Sequence, residues 1–281
     1  MKMSGNAVVA GIIGWPISHS RSPLIHGHWI EKHKIDGTYV PLAVHPDAAA
    51  DAIRSLPKLG IAGINVTVPH KLTAFDVVDE RDAASQAIGA INTIVVSPEG
   101  SLLGSNTDAP GFFAHLRATV PEWDPQAGPV VVLGAGGSAR AAIHSLLEAG
   151  VKEIRLVNRT KSKAEIIASN FGDKIKVISW SERASSLAES NLLVNTTSLG
   201  MKGAHPLEIH LDDLPKEAVV YDIVYVPLET NLLAAAKHRG NKVVDGLGML
   251  LHQAVPGFHA WFGTKPAVDS ELRQLILDDL K

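Results

Sequence analysis

Several clusters of polar residues interrupt an otherwise ordinary apolar chain, and their spacing suits chemistry on a small molecule. The first is Ser18-His19-Ser20-Arg21-Ser22-Pro23, where three hydroxyls precede a helix that Pro23 opens. Ser20 and Ser22 point the same way if the chain between them is extended. The simpler reading is that Ser22 caps the helix. The second is Gly63-Ile64-Asn65-Val66-Thr67-Val68-Pro69-His70-Lys71. In a strand, Asn65 and Thr67 share one face and Ile64, Val66 and Val68 the other. A buried strand that gives alternate positions to polar side chains needs partners for them. Lys71 enters a helix just beyond that strand, where α/β folds place ligands and where proton-transfer lysines sit. The ordinary alternative is a surface lysine on a first helical turn. Asn92 and Thr93 interrupt the next strand, and the return strand delivers Asn106-Thr107-Asp108. Asp108 suits a helix N-cap, the commonest role for such an aspartate.

A glycine-rich turn supplies different chemistry. The run from Pro129 to Thr160 begins with an apolar strand, Val130 to Leu133. Gly134, Ala135, Gly136, Gly137, Ser138 and Ala139 follow at once, then a periodic helix to about Ala149, Gly150, and a second strand from Ile154 to Val157. The first glycine allows the tight turn, the second lets backbone N–H groups approach a pyrophosphate, and the small third position packs helix on strand. The helix N-terminus offers unsatisfied donors to phosphates. The strand before and the helix and strand after are the context such a turn requires. A dinucleotide site follows.

The end of the second strand selects the dinucleotide. An NAD site usually places a carboxylate there to accept from the ribose hydroxyls. This chain has Asn158-Arg159-Thr160-Lys161-Ser162-Lys163 instead. Nothing there repels a 2′-phosphate, and the planar fork of Arg159 binds one well. NADP is the expected cofactor.

The elements that must carry these groups alternate along the chain. Strands are expected at Val8–Ile13 and Thr38–Val44, each followed by a helix, and then the Gly63 strand and the Ala90–Ser105 pair. Beyond Thr160 the alternation resumes, with strands ending at Asn195-Thr196-Thr197-Ser198, at Val224-Tyr225 and at Val244. Strand ends rich in Asn, Thr and Ser would line a cofactor crevice. A helix from about Asp245-Gly246-Leu247-Gly248-Met249 reaches Phe262 with Gln253 inside it, and Asp269 to Leu280 forms the last. The fold class is α/β, with room for two domains in 281 residues.

Composition removes other classes. A net charge of −3 does not suit nucleic acid, and the absence of cysteine excludes disulfides and thiolate zinc. No His-Glu-x-x-His or Gly-x-Ser-x-Gly pattern occurs, so neither a catalytic metal nor a serine hydrolase is expected. No apolar run is long enough to span a membrane and no signal peptide is apparent, so the expectation is a cytoplasmic protein without membrane partners.

Taken together and in order, these motifs resemble the shikimate dehydrogenase family over essentially the whole chain. The matching signatures include Ser18 to Pro23, Asn65 to Lys71, Gly89-Ala-Ile-Asn92-Thr93, Asn106-Thr107-Asp108, the Gly134 turn, Asn158-Arg159-Thr160, Asn195 to Ser198, Tyr221-Asp222 with Tyr225, and Asp245 to Met249 with Gln253. The resemblance implies reversible reduction of 3-dehydroshikimate to shikimate by NADPH, in aromatic amino-acid biosynthesis. It implies that Ser20 and Ser22, with Tyr225 nearby, hold the substrate carboxylate. Asn65, Thr67, Asn92, Asp108 and Gln253 would orient the ring hydroxyls, and Lys71 and Asp108 would be the catalytic pair. Because hydride transfer at the substrate carbon moves a proton on its oxygen, a proton-transfer group must touch that oxygen.

By the same resemblance, the cofactor is held by the Gly134–Ala139 turn, by Asn158, Arg159, Thr160 and Lys163, by Asn195, Thr196, Thr197 and Ser198, and by Val224, Gly246 and Met249. Lys163 stands where relatives often carry a second arginine, keeping the charge without the fork. Residues 1–108 with 247–281 would form a substrate domain and 109–246 a Rossmann-type doubly wound NADP domain, with a cleft between them, in a monomer or homodimer. Two alternatives remain: an NAD-preferring quinate/shikimate dehydrogenase, and a non-catalytic ligand-binding regulator of the same fold.

Overall fold

The computed structural model describes residues 3–280. Its strands and helices run β1 (Val8–Gly14), α1 (Ser22–Lys32), β2 (Gly37–Ala43), α2 (Ala49–Arg54), β3 (Ile61–Val66), α3 (Lys71–Val77), β4 (Glu80–Arg81), α4 (Ala83–Ile88), β5 (Thr93–Val96) and β6 (Leu102–Ser105). They continue with α5 (Asp108–Thr119), β7 (Val130–Leu133), α6 (Gly137–Glu148), β8 (Ile154–Val157), α7 (Lys161–Phe171), β9 (Ile175–Ile178), β10 (Leu192–Asn195) and β11 (Val219–Asp222). The chain finishes with α8 (Asn231–Arg239), β12 (Lys242–Val244), α9 (Leu247–His252), α10 (Ala254–Phe262) and α11 (Ser270–Asp279).

Two compact units result. One comprises the chain up to Thr107 together with the residues from Leu251 onwards, and the other is Asp108–Leu250. Asp108 and the start of α9 therefore belong to the second unit, a shift of a few residues from the expected boundaries.

The first unit holds a mixed sheet in the order β2-β1-β3-β5-β6-β4. β1 is parallel to both β2 and β3, whereas β5 runs antiparallel to β3 and β6. One face packs Ile13, Ile64, Val66, Ile91 and Ile94 into a core. The C-terminal helices complete the unit: the Trp261 indole N–H donates to the Ile94 carbonyl at 3.1 Å, and that of Trp29 donates to the Ala267 carbonyl at 3.1 Å.

The second unit holds a fully parallel sheet in the order β12-β11-β10-β7-β8-β9. Its inner strands are largely apolar on both faces. Val130, Val132, Leu156 and Val194 face one core, and Val131, Leu133, Val157 and Leu193 the other. Continuous apolar runs are what a sheet covered by helices on both sides requires. Strand order reverses between β7 and β10, and ligands of such sheets bind outside the carboxyl ends at that switch point.

Three local expectations change. The continuous helix to Phe262 is broken at Gln253, with Pro256 in the first turn of the new helix α10, where its missing N–H costs nothing. The strand expected from Ala90 begins only at Thr93, and Asn92 precedes it while still pairing its backbone with Val66 and Ser105. Helix α4 is additional: the Asp82 carboxylate caps it by accepting from the Ser85 N–H at 2.7 Å, and Gly89 ends it at φ 75°.

Candidate active site

In the first unit the polar residues are tied to one another. Tyr39 on β2 lies level with Ala10 on β1, which lies level with Gly63 on β3. Ala10 carries only a methyl, so the Tyr39 ring crosses β1 and its hydroxyl donates to Asn65 Oδ1 at 2.6 Å. Asn65 Nδ2 donates to the Asn92 carbonyl at 3.2 Å and to Thr93 Oγ1 at 3.0 Å. Asn92 Oδ1 in turn accepts from Thr93 Oγ1 at 3.1 Å, from the Thr107 N–H at 2.8 Å and from Thr107 Oγ1 at 3.1 Å. Asn65, Asn92, Thr93 and Thr107 are all buried, so each bond satisfies a group that burial would otherwise penalise.

The network settles the partner question raised by the β3 pattern. Both amide hydrogens of Asn65 are spent on neighbours, whereas Thr67 lies one residue past the strand and is half-buried. Lys71 is the first residue of α3, and its carbonyl accepts from the Ile91 N–H at 3.1 Å, fixing the helix start beside Asn92. His70 anchors the same turn through Nε2 to the Val44 carbonyl at 2.8 Å. Ser22 does not cap α1. Arg21 holds the cap position without a side-chain capping bond, and Ser22 is the buried first helical residue whose N–H donates to Ser20 Oγ at 3.3 Å.

Beneath this network His26 stacks on Tyr39 with ring centroids 4.0 Å apart. Burial pushes the imidazole down to about 3, with nearby Asn65 acting in the opposite direction, and neither ring nitrogen has a well-formed hydrogen bond. The imidazole is therefore a neutral packing element. Burial likewise pushes the Tyr39 hydroxyl well above its ordinary range, so it serves as a neutral donor. Among the described residues one grouping, His28, Asp269 and Glu271, gathers metal-type ligands. There the Lys32 ammonium already bridges Asp269 at 2.8 Å and Glu271 at 2.6 Å.

The second unit builds its site from backbone. Gly134 turns the chain out of β7 at φ 110°, and a Cβ there would sit 2.7 Å from Thr196 Oγ1, so only glycine fits. A Cβ at Gly136 or Gly137 would meet nothing within 4 Å, which leaves the start of α6 bare of side chains. Gly136 at the N-cap position cannot cap the helix, and its first N–H groups stay available for an anion. A cavity of about 300 Å³ opens over this turn, lined by Gly134, Ala135, Gly136, Asn158, Arg159, Thr160, Lys163, Trp180 and Thr196 to Leu199. None of these lining residues is acidic, and Arg159 and Lys163 are exposed within it. Such donors fit a phosphorylated dinucleotide. Gly137, Ser138 and Ala139 lie outside the lining, with Ala139 fully buried as the packing position.

The ends of β10 and β11 are locked to each other. Asn195 is fully buried. Its Nδ2 donates to Asp222 Oδ1 at 2.9 Å and to the Leu199 carbonyl at 3.2 Å, while its Oδ1 accepts from Thr197. Asp222 also accepts from Thr230 Oγ1 at 2.7 Å and from the Val224 N–H at 3.1 Å. Burial raises its carboxyl above the usual range despite these donors. Asn195 thus holds the Thr196–Ser198 loop in place without itself lining the cavity. Val224, Gly246 and Met249 are buried outside it, and a Cβ at Gly246 would meet the Ile223 carbonyl oxygen at 2.1 Å. Tyr225 follows β11 and is half-buried, as is Gln253 between α9 and α10. Asp108 opens α5 as its first residue.

Two residues escaped the sequence reading. Tyr39 looks like any inward strand aromatic, and only the register across β1 reveals its partner. Trp180 follows an edge strand in a stretch without any motif, yet it lines the cavity.

Comparison with known proteins adds independent findings. Residues 12–94 match the shikimate dehydrogenase substrate binding domain, and residues 123–207 match shikimate / quinate 5-dehydrogenase. A curated relative, shikimate dehydrogenase (NADP(+)) of Paramagnetospirillum magneticum, is 55% identical over 275 residues, covering 98% of this chain and 100% of its own. The crystal structure of shikimate 5-dehydrogenase from Thermus thermophilus in complex with NADP(H) and shikimate gives a TM-score of 0.85 at 33% identity, covering 96% of this chain and 99% of that one. Quinate dehydrogenase from Corynebacterium glutamicum in complex with NAD gives 0.88 at 29% identity, covering 97% and 99%.

Proposed function

Because this chain belongs to the shikimate dehydrogenase family, we propose that it interconverts 3-dehydroshikimate and shikimate with NADPH and NADP. The observation that carries the cofactor assignment is the cavity over the Gly134 turn, where Arg159 and Lys163 occur with no carboxylate among the lining residues. A ribose bearing only hydroxyls would gain little there, whereas a 2′-phosphate gains charge-assisted bonds. NADPH, when bound, supplies the hydride.

The remaining work falls to the chain's own side chains. Ser20, Ser22 and Tyr225 bind the substrate carboxylate, and Thr67, Asn92, Asp108 and Gln253 orient its hydroxyls. Lys71 and Asp108 hold and move the proton on the substrate oxygen that changes between alcohol and ketone. Asn65, whose amide hydrogens are engaged by Asn92 and Thr93, contributes by fixing those two groups rather than by donating to substrate. The Gly134–Ala139 turn carries the pyrophosphate, Asn158, Arg159, Thr160 and Lys163 take the phosphorylated ribose, and Thr196 to Ser198 border the site with Val224, Gly246 and Met249 behind them. The protein works on a small molecule as a cytoplasmic monomer or homodimer.

The test is absorbance at the reduced-nicotinamide band with shikimate or quinate and with NADP or NAD. Shikimate with NADP should turn over, with kcat/KM roughly 10- to 100-fold lower for NAD, the value of a lost charged hydrogen bond. Turnover mainly with NAD or quinate would move the chain to a quinate-type dehydrogenase, and NADPH binding without turnover would make it a regulator.

A further inference from the structure

The order of the parallel sheet says where the far end of the cofactor should lie. β7 carries the glycine turn, β8 lies beside it and β9 is the edge. With pyrophosphate at the end of β7 and ribose at the end of β8, the next group outward is the base, at the end of β9. Trp180 stands two residues beyond β9.

Its surroundings are those of a prepared surface. Trp180 lines the 300 Å³ cavity together with Arg159 and Lys163, and also a second cavity of about 270 Å³ that shares Arg159 and Leu199. The side chain is half-buried, with part of the ring resting on the core that includes Val157 and Leu187. Arg183 fixes it further. The guanidinium lies 5.1 Å from the ring centroid, donates from Nη1 to the Trp180 carbonyl at 2.9 Å, and donates from Nε to the Glu208 carbonyl at 2.8 Å. A large, flat, immobilised π face costs little ordering on binding and favours a stacked ring rather than a phosphate, which Arg159 and Lys163 serve.

We propose that the indole of Trp180 is the stacking platform for the adenine ring of the dinucleotide, with Arg183 holding the indole in place. The proposal rests on the cofactor reading above. It adds a binding residue for the base, so that affinity for the adenosine half is set separately from the choice between NADP and NAD.

The experiment is calorimetric titration of wild type, Trp180→Leu and Trp180→Phe with adenosine 2′,5′-bisphosphate and with NADPH. Base stacking predicts that Trp180→Leu raises Kd roughly 5- to 100-fold for both ligands alike, while Trp180→Phe keeps most of the affinity. Tryptophan emission gives a second readout: adenosine 2′,5′-bisphosphate should change it in wild type and not in Trp180→Phe, which retains Trp15, Trp29, Trp123 and Trp261. If Trp180→Leu fails to fold, the emission comparison decides. Unchanged Kd in Trp180→Leu, or an emission change that persists in Trp180→Phe, would overturn the platform while leaving the NADP assignment intact. Wild type that binds neither ligand would overturn both.

Discussion

The two units arrange their polar groups by opposite means. In the first, the candidate groups are side chains held by other side chains: Tyr39 holds Asn65, Asn65 holds Thr93, and Asn92 holds Thr107. In the second, the central surface is backbone, and what matters is the absence of side chains at Gly134, Gly136 and Gly137. A network of oriented side chains can distinguish one ring hydroxyl from another, since each group is fixed as donor or acceptor. A bare helix start recognises any phosphate of suitable shape, and the distinction between cofactors must come from residues at its margin such as Arg159. Substrate identity should therefore depend mainly on the first unit, with Asp108 and Tyr225 added from the second, and cofactor identity on a few side chains of the second.

Substitutions can break this division at graded cost. Lys71→Ala should reduce kcat by roughly 10²- to 10⁴-fold, the usual contribution of a proton-transfer group, with the Kd for NADPH nearly unchanged. Stopped-flow turnover beside fluorescence titration would check both, and equal activity would remove Lys71 from the chemistry. In the backbone half, Gly134→Ala forces a side chain into φ 110° and against Thr196. A stability cost of about 2 kcal/mol and at least a roughly tenfold weaker NADPH affinity are expected, with Tm and calorimetry as readouts.

The first unit should also carry a pH signature. His26 is neutral in the fold with a pKa of about 3, against an ordinary value of 6.5 in the unfolded chain. The unfolded state therefore gains the proton first as pH falls, so stability is full above about pH 6.5 and declines on acidification towards pH 3. Between pH 7.5 and 5 the loss attributable to this residue is roughly 2 kcal/mol. Urea unfolding of wild type and His26→Phe across that range should show a shallower dependence in the variant.

Smaller changes sharpen the comparison. Tyr39→Phe leaves Asn65 Oδ1 without its 2.6 Å donor and should cost about 1 to 2 kcal/mol. KM for shikimate should rise while NADPH Kd stays put; a matching fall in NADPH affinity would contradict the separation of roles. Lys163→Arg restores a planar fork at the cavity margin and should raise the preference for NADPH over NADH by about 2- to 5-fold, measured as the ratio of kcat/KM values.

How much of this was legible in the sequence follows the same division. The backbone site announces itself locally, because strand, glycine turn, helix and strand must be contiguous, and the Asn158–Lys163 stretch lies directly after. The side-chain site is scattered from residue 20 to residue 253, and its polar positions were visible while their pairings were not. Nothing local to Asn65 says that Tyr39, two strands away, will take its oxygen. Likewise the breaking of the last long helix at Gln253 was signalled by Pro256, but helical periodicity on both sides masked it. Trp180 carried no signal at all, since its position matters only once the sheet order is known.

The placement of the last helices also bears on synthesis. Trp261 and Phe258 complete the core of a unit whose other strands all lie before Thr107. A ribosome adding about 5 to 20 residues per second therefore releases the strands of the first unit roughly 7 to 30 seconds before the helices that cover them. During that interval the second unit, Asp108–Leu250, is made without interruption and can fold from its own contiguous sequence. The face of β3 beside Gly63 meanwhile remains without Trp261. Nascent chains arrested near Leu250 should accordingly protect the dinucleotide unit from protease while the first hundred residues stay cleavable.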